Sequence, residues 1–178
     1  GKKEALQMLL KAERLFREIL EHDTENNYAL VGLGDSARKR GDCREAVKHY
    51  RRCLEHHPRN NYALFGLADC YKNMRQFHRA IEVWEQYLEH DDENVTVLTR
   101  VADAHRKVRN FDRSKELYDR VLSIEENNAY AIIGLAHLHY DFKDYESALY
   151  YWNWMLRISG PRVDIRVLTS IGNCYRKL

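Results

Sequence analysis

The sequence predicts an all-α solenoid of antiparallel helix pairs. Three observations carry that expectation. Asn26-Asn27-Tyr28-Ala29-Leu30-Val31-Gly32-Leu33 returns 34 residues later as Asn60-Asn61-Tyr62-Ala63-Leu64-Phe65-Gly66-Leu67, and again as Asn128-Ala129-Tyr130-Ala131-Ile132-Ile133-Gly134-Leu135. A fixed period of this length marks stacked units that cannot bury their apolar faces alone. Inside each period, two stretches place apolar residues three and four apart with a short break between them, so each unit reads as two helices. The chain has 2 Pro and 8 Gly in 178 residues, too few for a fold rich in tight turns.

Residues 2–22 come first as one amphipathic helix. Ala12, Phe16, Ile19 and Leu20 match the second-helix places Ala80, Trp84, Tyr87 and Leu88. Residues 1–26 therefore read as a half-repeat extended towards the N-terminus. Residues 27–60 form the first repeat. Leu30, Leu33, Gly34 and Ala37 mark its first helix, and Ala46, Tyr50, Cys53 and Leu54 its second. Gly41 lies between them, where a glycine can take the left-handed conformation that ends a helix. His57-Pro58 closes the unit, because a residue before proline is pushed out of helical geometry.

Residues 61–94 carry Leu64, Leu67, Ala68 and Tyr71, then Phe77, Ala80, Trp84, Tyr87 and Leu88. Residues 95–128 are the most divergent unit, with Leu98, Val101 and Ala102, then Phe111, Tyr118, Val121 and Leu122; Ser114 replaces the small alanine. Residues 129–162 carry Ile132, Leu135 and Ala136, then Tyr145, Ala148, Trp152, Met155 and Leu156. The link Ser159-Gly160-Pro161-Arg162 runs about two residues longer, after which Leu168, Ile171, Gly172 and Tyr175 repeat the first-helix pattern. Residues 163–178 read either as the first helix of a fifth repeat in a cut array or as a capping helix.

The motif Leu30-x2-Leu33-Gly34 with Ala46-x3-Tyr50 and Pro58, and Leu64-x2-Leu67-Ala68-x2-Tyr71 with Ala80-x3-Trp84, resembles tetratricopeptide repeats over essentially the full length. The resemblance implies a right-handed superhelix. Gly34, Ala68, Ala102 and Ala136 would let the helices of a pair approach, as would Ala46, Ala80 and Ala148. Tyr50, Trp84, Tyr118 and Trp152 would fill the space against the next unit.

It also implies a concave groove lined by first helices, whose groove-facing places form three ladders. The apolar one is Tyr28, Val31, Tyr62, Phe65, Tyr130 and Ile133, interrupted by Thr96 and Thr99. It reads either as a peptide-docking strip, since tyrosine and phenylalanine are favoured anchors, or as packing between neighbouring first helices. The acidic one is Asp35, Asp69 and Asp103, continued by His137 and Asn173. The basic one includes Arg38, Lys39, Lys72, Arg106, Lys107, Arg176 and Lys177. Each Asp has a basic residue three or four places on, so these read as local ion pairs on a solvated face or as a charged grip on a ligand. Aspartate where some relatives hold a carboxylate-binding asparagine speaks against a chaperone-tail clamp.

A noncatalytic scaffold for a peptide or partner protein is the leading expectation. Self-association and a repeat appendage of a larger enzyme are the alternatives. The formal net charge of +2 gives no field pointing to nucleic acid, and no apolar run reaches the ~18–20 residues that span a bilayer, so no membrane insertion is expected. The chain opens on Gly1-Lys2-Lys3 rather than Met, which suggests trimming; a cytoplasmic location is expected, with room for a targeting segment upstream. Cys43, Cys53, Cys70 and Cys174 are too sparse for a disulfide framework and read as small apolar packing residues. His22, His56 and His90 share one place at second-helix ends, where they suit the helix dipole. His105 and His139 share another and read as core or rim residues. Equivalent places on packed helices lie about 8–10 Å apart, too far to share a metal ion. No phosphate loop or nucleophile motif is present, and no cofactor is expected.

Overall fold

The computed structural model describes residues 1–162 and 164–178. Among the described residues there are ten helices and no strand. They are α1 (Lys2–His22), α2 (Asn27–Lys39), α3 (Cys43–His56), α4 (Asn61–Asn73), α5 (Phe77–His90), α6 (Val95–Lys107), α7 (Phe111–Ile124), α8 (Ala129–Asp141), α9 (Tyr145–Ser159) and α10 (Ile165–Lys177). First helices α2, α4, α6 and α8 start 34 residues apart, as do second helices α3, α5, α7 and α9. Val163, where the last element was expected to open, lies outside the described residues.

Local chemistry fixes these boundaries. Asn26, Asn60, Asn94 and Asn128 cap the four first helices, and each side chain accepts from the backbone N–H three residues on, at 2.9–3.1 Å. An asparagine there satisfies one of the donors that a helix start leaves unpaired. At the other end Gly41 takes φ +83°, and Arg75, Arg109 and Lys143 occupy the same place at φ 60–65°. The next residue then donates back across the turn: Asp42 to Ala37, Gln76 to Tyr71, Asn110 to His105 and Asp144 to His139, at 2.8–2.9 Å. This closure satisfies the last carbonyls of the first helix and reverses the chain into the second. His22, His56 and His90 lie in the last turns of α1, α3 and α5.

The chain divides into two compact units, residues 1–91 and 92–178. In the first, α1 packs on α2, α2 on α3, α3 on α4 and α4 on α5. Leu30, Leu64, Tyr50 and Trp84 are sealed within it. In the second, α6 pairs with α7, α7 meets α8, α8 pairs with α9, and α10 packs on α9. Ile132, Ala136, Ala148, Trp152, Met155, Val167 and Cys174 form one apolar cluster there. Ser114 is accommodated in the divergent repeat because its hydroxyl donates to the Ala102 carbonyl at 2.8 Å. All four cysteines are free; Cys53, Cys70 and Cys174 are buried and Cys43 is half-buried. His105 and His139 are buried. Helix α1 departs from a simple apolar stripe: its buried residue is Glu13, whose Oε1 accepts from Nη2 and Nε of Arg40 at 2.8 and 3.1 Å.

Candidate functional site

A pocket of about 660 Å³ opens in the first unit. Leu9, Ala12 and Phe16 of α1 form one wall, Tyr28, Val31 and Asp35 of α2 another, and Tyr62 of α4 stands at its rim. Tyr28 and Tyr62 are 69% and 78% exposed, because their places at the starts of α2 and α4 project beyond the hairpin contacts. The Tyr28 ring meets Phe16 edge-on at 5.6 Å, which gives the pocket an aromatic floor. Asn27, Asn60 and Lys39 supply its polar margin. In the second unit Tyr130 has the same place and is 76% exposed, with Ile133 half-buried one turn on.

The charged ladders have another use. Arg38 donates through Nη1 to Asp69 of the next repeat at 2.9 Å and through Nε to the Tyr50 hydroxyl at 3.2 Å. Its Nη2 lies 3.6 Å from Asp35. The Tyr50 hydroxyl donates to Asp35 at 2.5 Å, while its ring is fully buried. The local pair Arg38–Asp35 expected on this face is present, and Arg38 also makes a shorter pair that crosses between repeats. The group closes over a buried phenol. Burial, with Asp35 adding to it, pushes the Tyr50 hydroxyl above the ordinary tyrosine range, so it stays a donor. Burial acts to lower Arg38, but Tyr50 and Asp69 outweigh it and hold the guanidinium above its usual value.

The second unit repeats the arrangement with one exchange. The Tyr118 hydroxyl donates to Asp103, and Arg106 is shifted upward by Tyr118, Asp103 and Asp141 against the effect of burial. Residue 137 occupies the place of Asp69 and is histidine, and Arg106 pairs instead with Asp141, one turn further on, at 3.3 Å. His137 turns its ring edge-on to Trp152 at 5.1 Å. Burial first, and then Arg106, hold His137 below the usual imidazole value.

Phe65 packs edge-on against Trp84 at 5.1 Å and lies beneath the Arg38 guanidinium, so it belongs more to the hairpin than to a free surface. The Thr99 hydroxyl donates to the Val95 carbonyl of its own helix at 2.7 Å. Lys72 is half-buried on α4. Thus Tyr28, Val31, Asp35 and Tyr62 come together around one pocket. Arg38, Asp69, Asp103 and Arg106 are committed to internal networks.

Glycine makes those networks fit. A methyl group added at Gly34 would lie 2.5 Å from the Tyr50 ring, and one at Gly66 would overlap the same ring from the next repeat. Gly134 stands in that relation to Tyr118. The sequence reading missed Tyr50 and Tyr118 as polar hubs, and Asp141 altogether. Its available signal was a recurrence at twice the repeat length: Asp35, Arg38, Tyr50 and Gly66 return as Asp103, Arg106, Tyr118 and Gly134.

Residues 31–72 match one tetratricopeptide repeat model and residues 62–93 another. Solved structures share the fold at low sequence identity. MamA is 20% identical, with TM-score 0.80 over 86% of this chain and 83% of its own. A tetratricopeptide repeat protein from Parabacteroides merdae is 21% identical, with TM-score 0.84 over 95% of this chain and 66% of its own. YrrB, described as a tetratricopeptide repeat protein with an unusual peptide-binding site, is 15% identical, with TM-score 0.83 over 94% of this chain and 85% of its own. No curated protein sequence matches the chain.

Proposed function

The chain belongs to the tetratricopeptide repeat family, and on that premise we propose that it is a noncatalytic scaffold whose first-helix tyrosines hold a peptide or partner protein. The observation that carries the reading is the pocket beside α1 and α2, with Tyr28 and Tyr62 exposed on its margin. Large aromatic side chains open to water on a concave apolar wall are anchors for a partner, because they bury much area at small cost in side-chain freedom. YrrB, similar in fold, is a tetratricopeptide repeat protein with a peptide-binding site, which agrees with this reading.

The commitment of Asp35, Arg38 and Asp69 to one another shapes the kind of ligand. Groups already paired within the protein have little left to offer a ligand's charges. Recognition then rests on apolar and aromatic side chains seated between Phe16, Tyr28 and Val31. Asn27 and Asn60 are near enough to serve polar backbone groups at the rim.

A peptide-array screen tests this with the wild type and a Tyr28→Ala, Tyr62→Ala double variant. Both side chains are exposed, so the fold is kept. Binding is expected to drop by about tenfold or more, the usual effect of truncating an aromatic anchor, and to change little with salt. Equal signals from the two proteins would remove the tyrosines from the function.

A further inference from the structure

On their solvent side the second helices carry charge. The outermost place is Lys48 in α3 and Glu116 in α7, with side chains 76% and 68% exposed, and Glu82 in α5. One turn on stand Arg52, Gln86 and Arg120, all exposed. Helix α9 departs from that pattern, with Tyr150 and Trp154 at the same two places. Tyr150 is 57% exposed and Trp154 half-buried. This openness belongs to the place and not to the position of α9 late in the sequence. Lys48 lies open on α3 with α4 and α5 following it, and Glu116 lies open on α7 with α8 and α9 following it.

The rings are held in position. Tyr151 and Trp154 stack at 6.3 Å with their planes 17° apart, and Tyr150 stands edge-on to them at 5.1 and 6.2 Å. The Trp154 indole N–H donates to Asn127 Oδ1 at 3.0 Å, and Tyr151 stacks on His139 of α8 at 5.5 Å. A surface fixed in this way loses little freedom on binding. The charge around it is mainly negative. Glu146 lies one turn before Tyr150 on the same stripe of α9, and Asp112, Glu116 and Asp119 mark the solvent side of α7. Lys115 is occupied by Asp119 at 2.6 Å and Arg113 by Glu116 at 3.1 Å. Among the described residues Asp112 and Glu146 have no basic partner. Burial first, and then Asp119, push the Tyr151 hydroxyl above the ordinary tyrosine range, which places that carboxylate beside the rings. Arg157 stands one turn beyond Trp154, so the negative end of the stripe is the Glu146 end. In α3 the places of Asp112, Glu116 and Asp119 hold Arg44, Lys48 and Arg51, so the sign is particular to this face.

We propose that the solvent side of α9 is a second docking surface, and that its occupant is a basic, arginine-bearing segment of a partner protein. A guanidinium is planar and weakly hydrated, so it stacks on an indole or phenol ring while its N–H groups reach a carboxylate. The same contact exists inside the chain, where Arg109 lies 4.5 Å from the centre of the Phe142 ring. A guanidinium resting on Tyr150 has Glu146 one turn away, and the carboxylates of α7 draw in further cations of the same segment. Lysine brings a compact charge with no plane to stack and binds less well. A nucleic acid strand could also stack on the rings, but its phosphates would meet Asp112, Asp119 and Glu146 with like charge. These residues belong to the second unit, and none lines the pocket of the first.

Fluorescence anisotropy with a labelled peptide of alternating glycine and arginine tests this, beside matching peptides of lysine and of citrulline, the neutral isostere of arginine. The arginine peptide is expected to bind the wild type, the lysine peptide more weakly, and the citrulline peptide weaker by about tenfold or more. Tyr150→Lys with Trp154→Arg installs the residues of α3 and is expected to cost about tenfold or more; circular dichroism verifies that helicity is kept. Glu146→Gln touches no ring and provides a second measurement should that pair misfold, with a loss of about twofold or more expected. The Tyr28→Ala, Tyr62→Ala variant is expected to bind the arginine peptide as the wild type does, so this surface and the first-helix pocket are tested separately. No binding of the arginine peptide would overturn the inference. So would equal binding of the lysine or citrulline peptide, wild-type binding by the α9 variants, or loss of binding in the Tyr28, Tyr62 variant. Single-stranded RNA or a proline-rich peptide bound in preference to the arginine peptide would overturn it as well.

Discussion

A single hydroxyl joins three charged side chains. Tyr50 donates to Asp35 and accepts from Arg38, which in turn reaches Asp69. Tyr50→Phe keeps the buried ring and removes only that oxygen. The expected cost is about 1–3 kcal/mol, towards the lower end because water can reach part of Asp35. Urea unfolding should show a lower midpoint with an unchanged slope. This network was only partly legible in the sequence. Asp35 and Arg38 are three apart, which announces a local pair, but nothing in that spacing says that Arg38 has a closer partner on the next helix. Glu13 was still less legible. A carboxylate on an otherwise exposed helix is ordinarily a solvated one, and only the approach of Arg40 from the end of α2 makes its burial possible.

Helix boundaries were the most legible feature, because each is set within a few residues. Asn26, Asn60, Asn94 and Asn128 cap at the repeat spacing, and Gly41 announces its turn. Arg75, Arg109 and Lys143 hide the same turn, since residues with a side chain are rarely asked to adopt positive φ. In the α8–α9 hairpin, His139 introduces a pH dependence. Its ring stacks on Tyr151 and meets Phe111 edge-on, with Asp144, Lys115 and Asp119 as the charged groups nearby. Burial lowers its pKa from the ordinary 6.5, partly offset by Asp144. The folded state therefore holds fewer protons than the unfolded one near that value. Its contribution to stability is intact above the ordinary imidazole pKa and is lost as pH falls below it. Thermal melts between about pH 8 and about pH 5 should show the melting temperature falling on the acid side. His139→Tyr, the residue that Tyr71 provides at the same place, should flatten part of that fall, with His49 and His137 supplying the remainder.

At the scale of the whole molecule, each helix leans on its chain neighbours within its own unit, as in other repeat arrays. A local fault should stay local. Gly134→Ala presses a methyl group into the Tyr118 ring and should cost about 1–3 kcal/mol. Hydrogen exchange should quicken in α6 to α9 and remain at wild-type rates in α1 to α3; faster exchange throughout would contradict a neighbour-by-neighbour build. The tyrosine–glycine contact also governs how such a chain can change length. Excising residues 61–94 would bring Arg100 to the position of Gly66, against the Tyr50 ring, whereas excising 61–128 would bring Gly134 there and restore the fit. A shortening that begins at residue 61 and spares this contact therefore removes two hairpins' worth of chain rather than one.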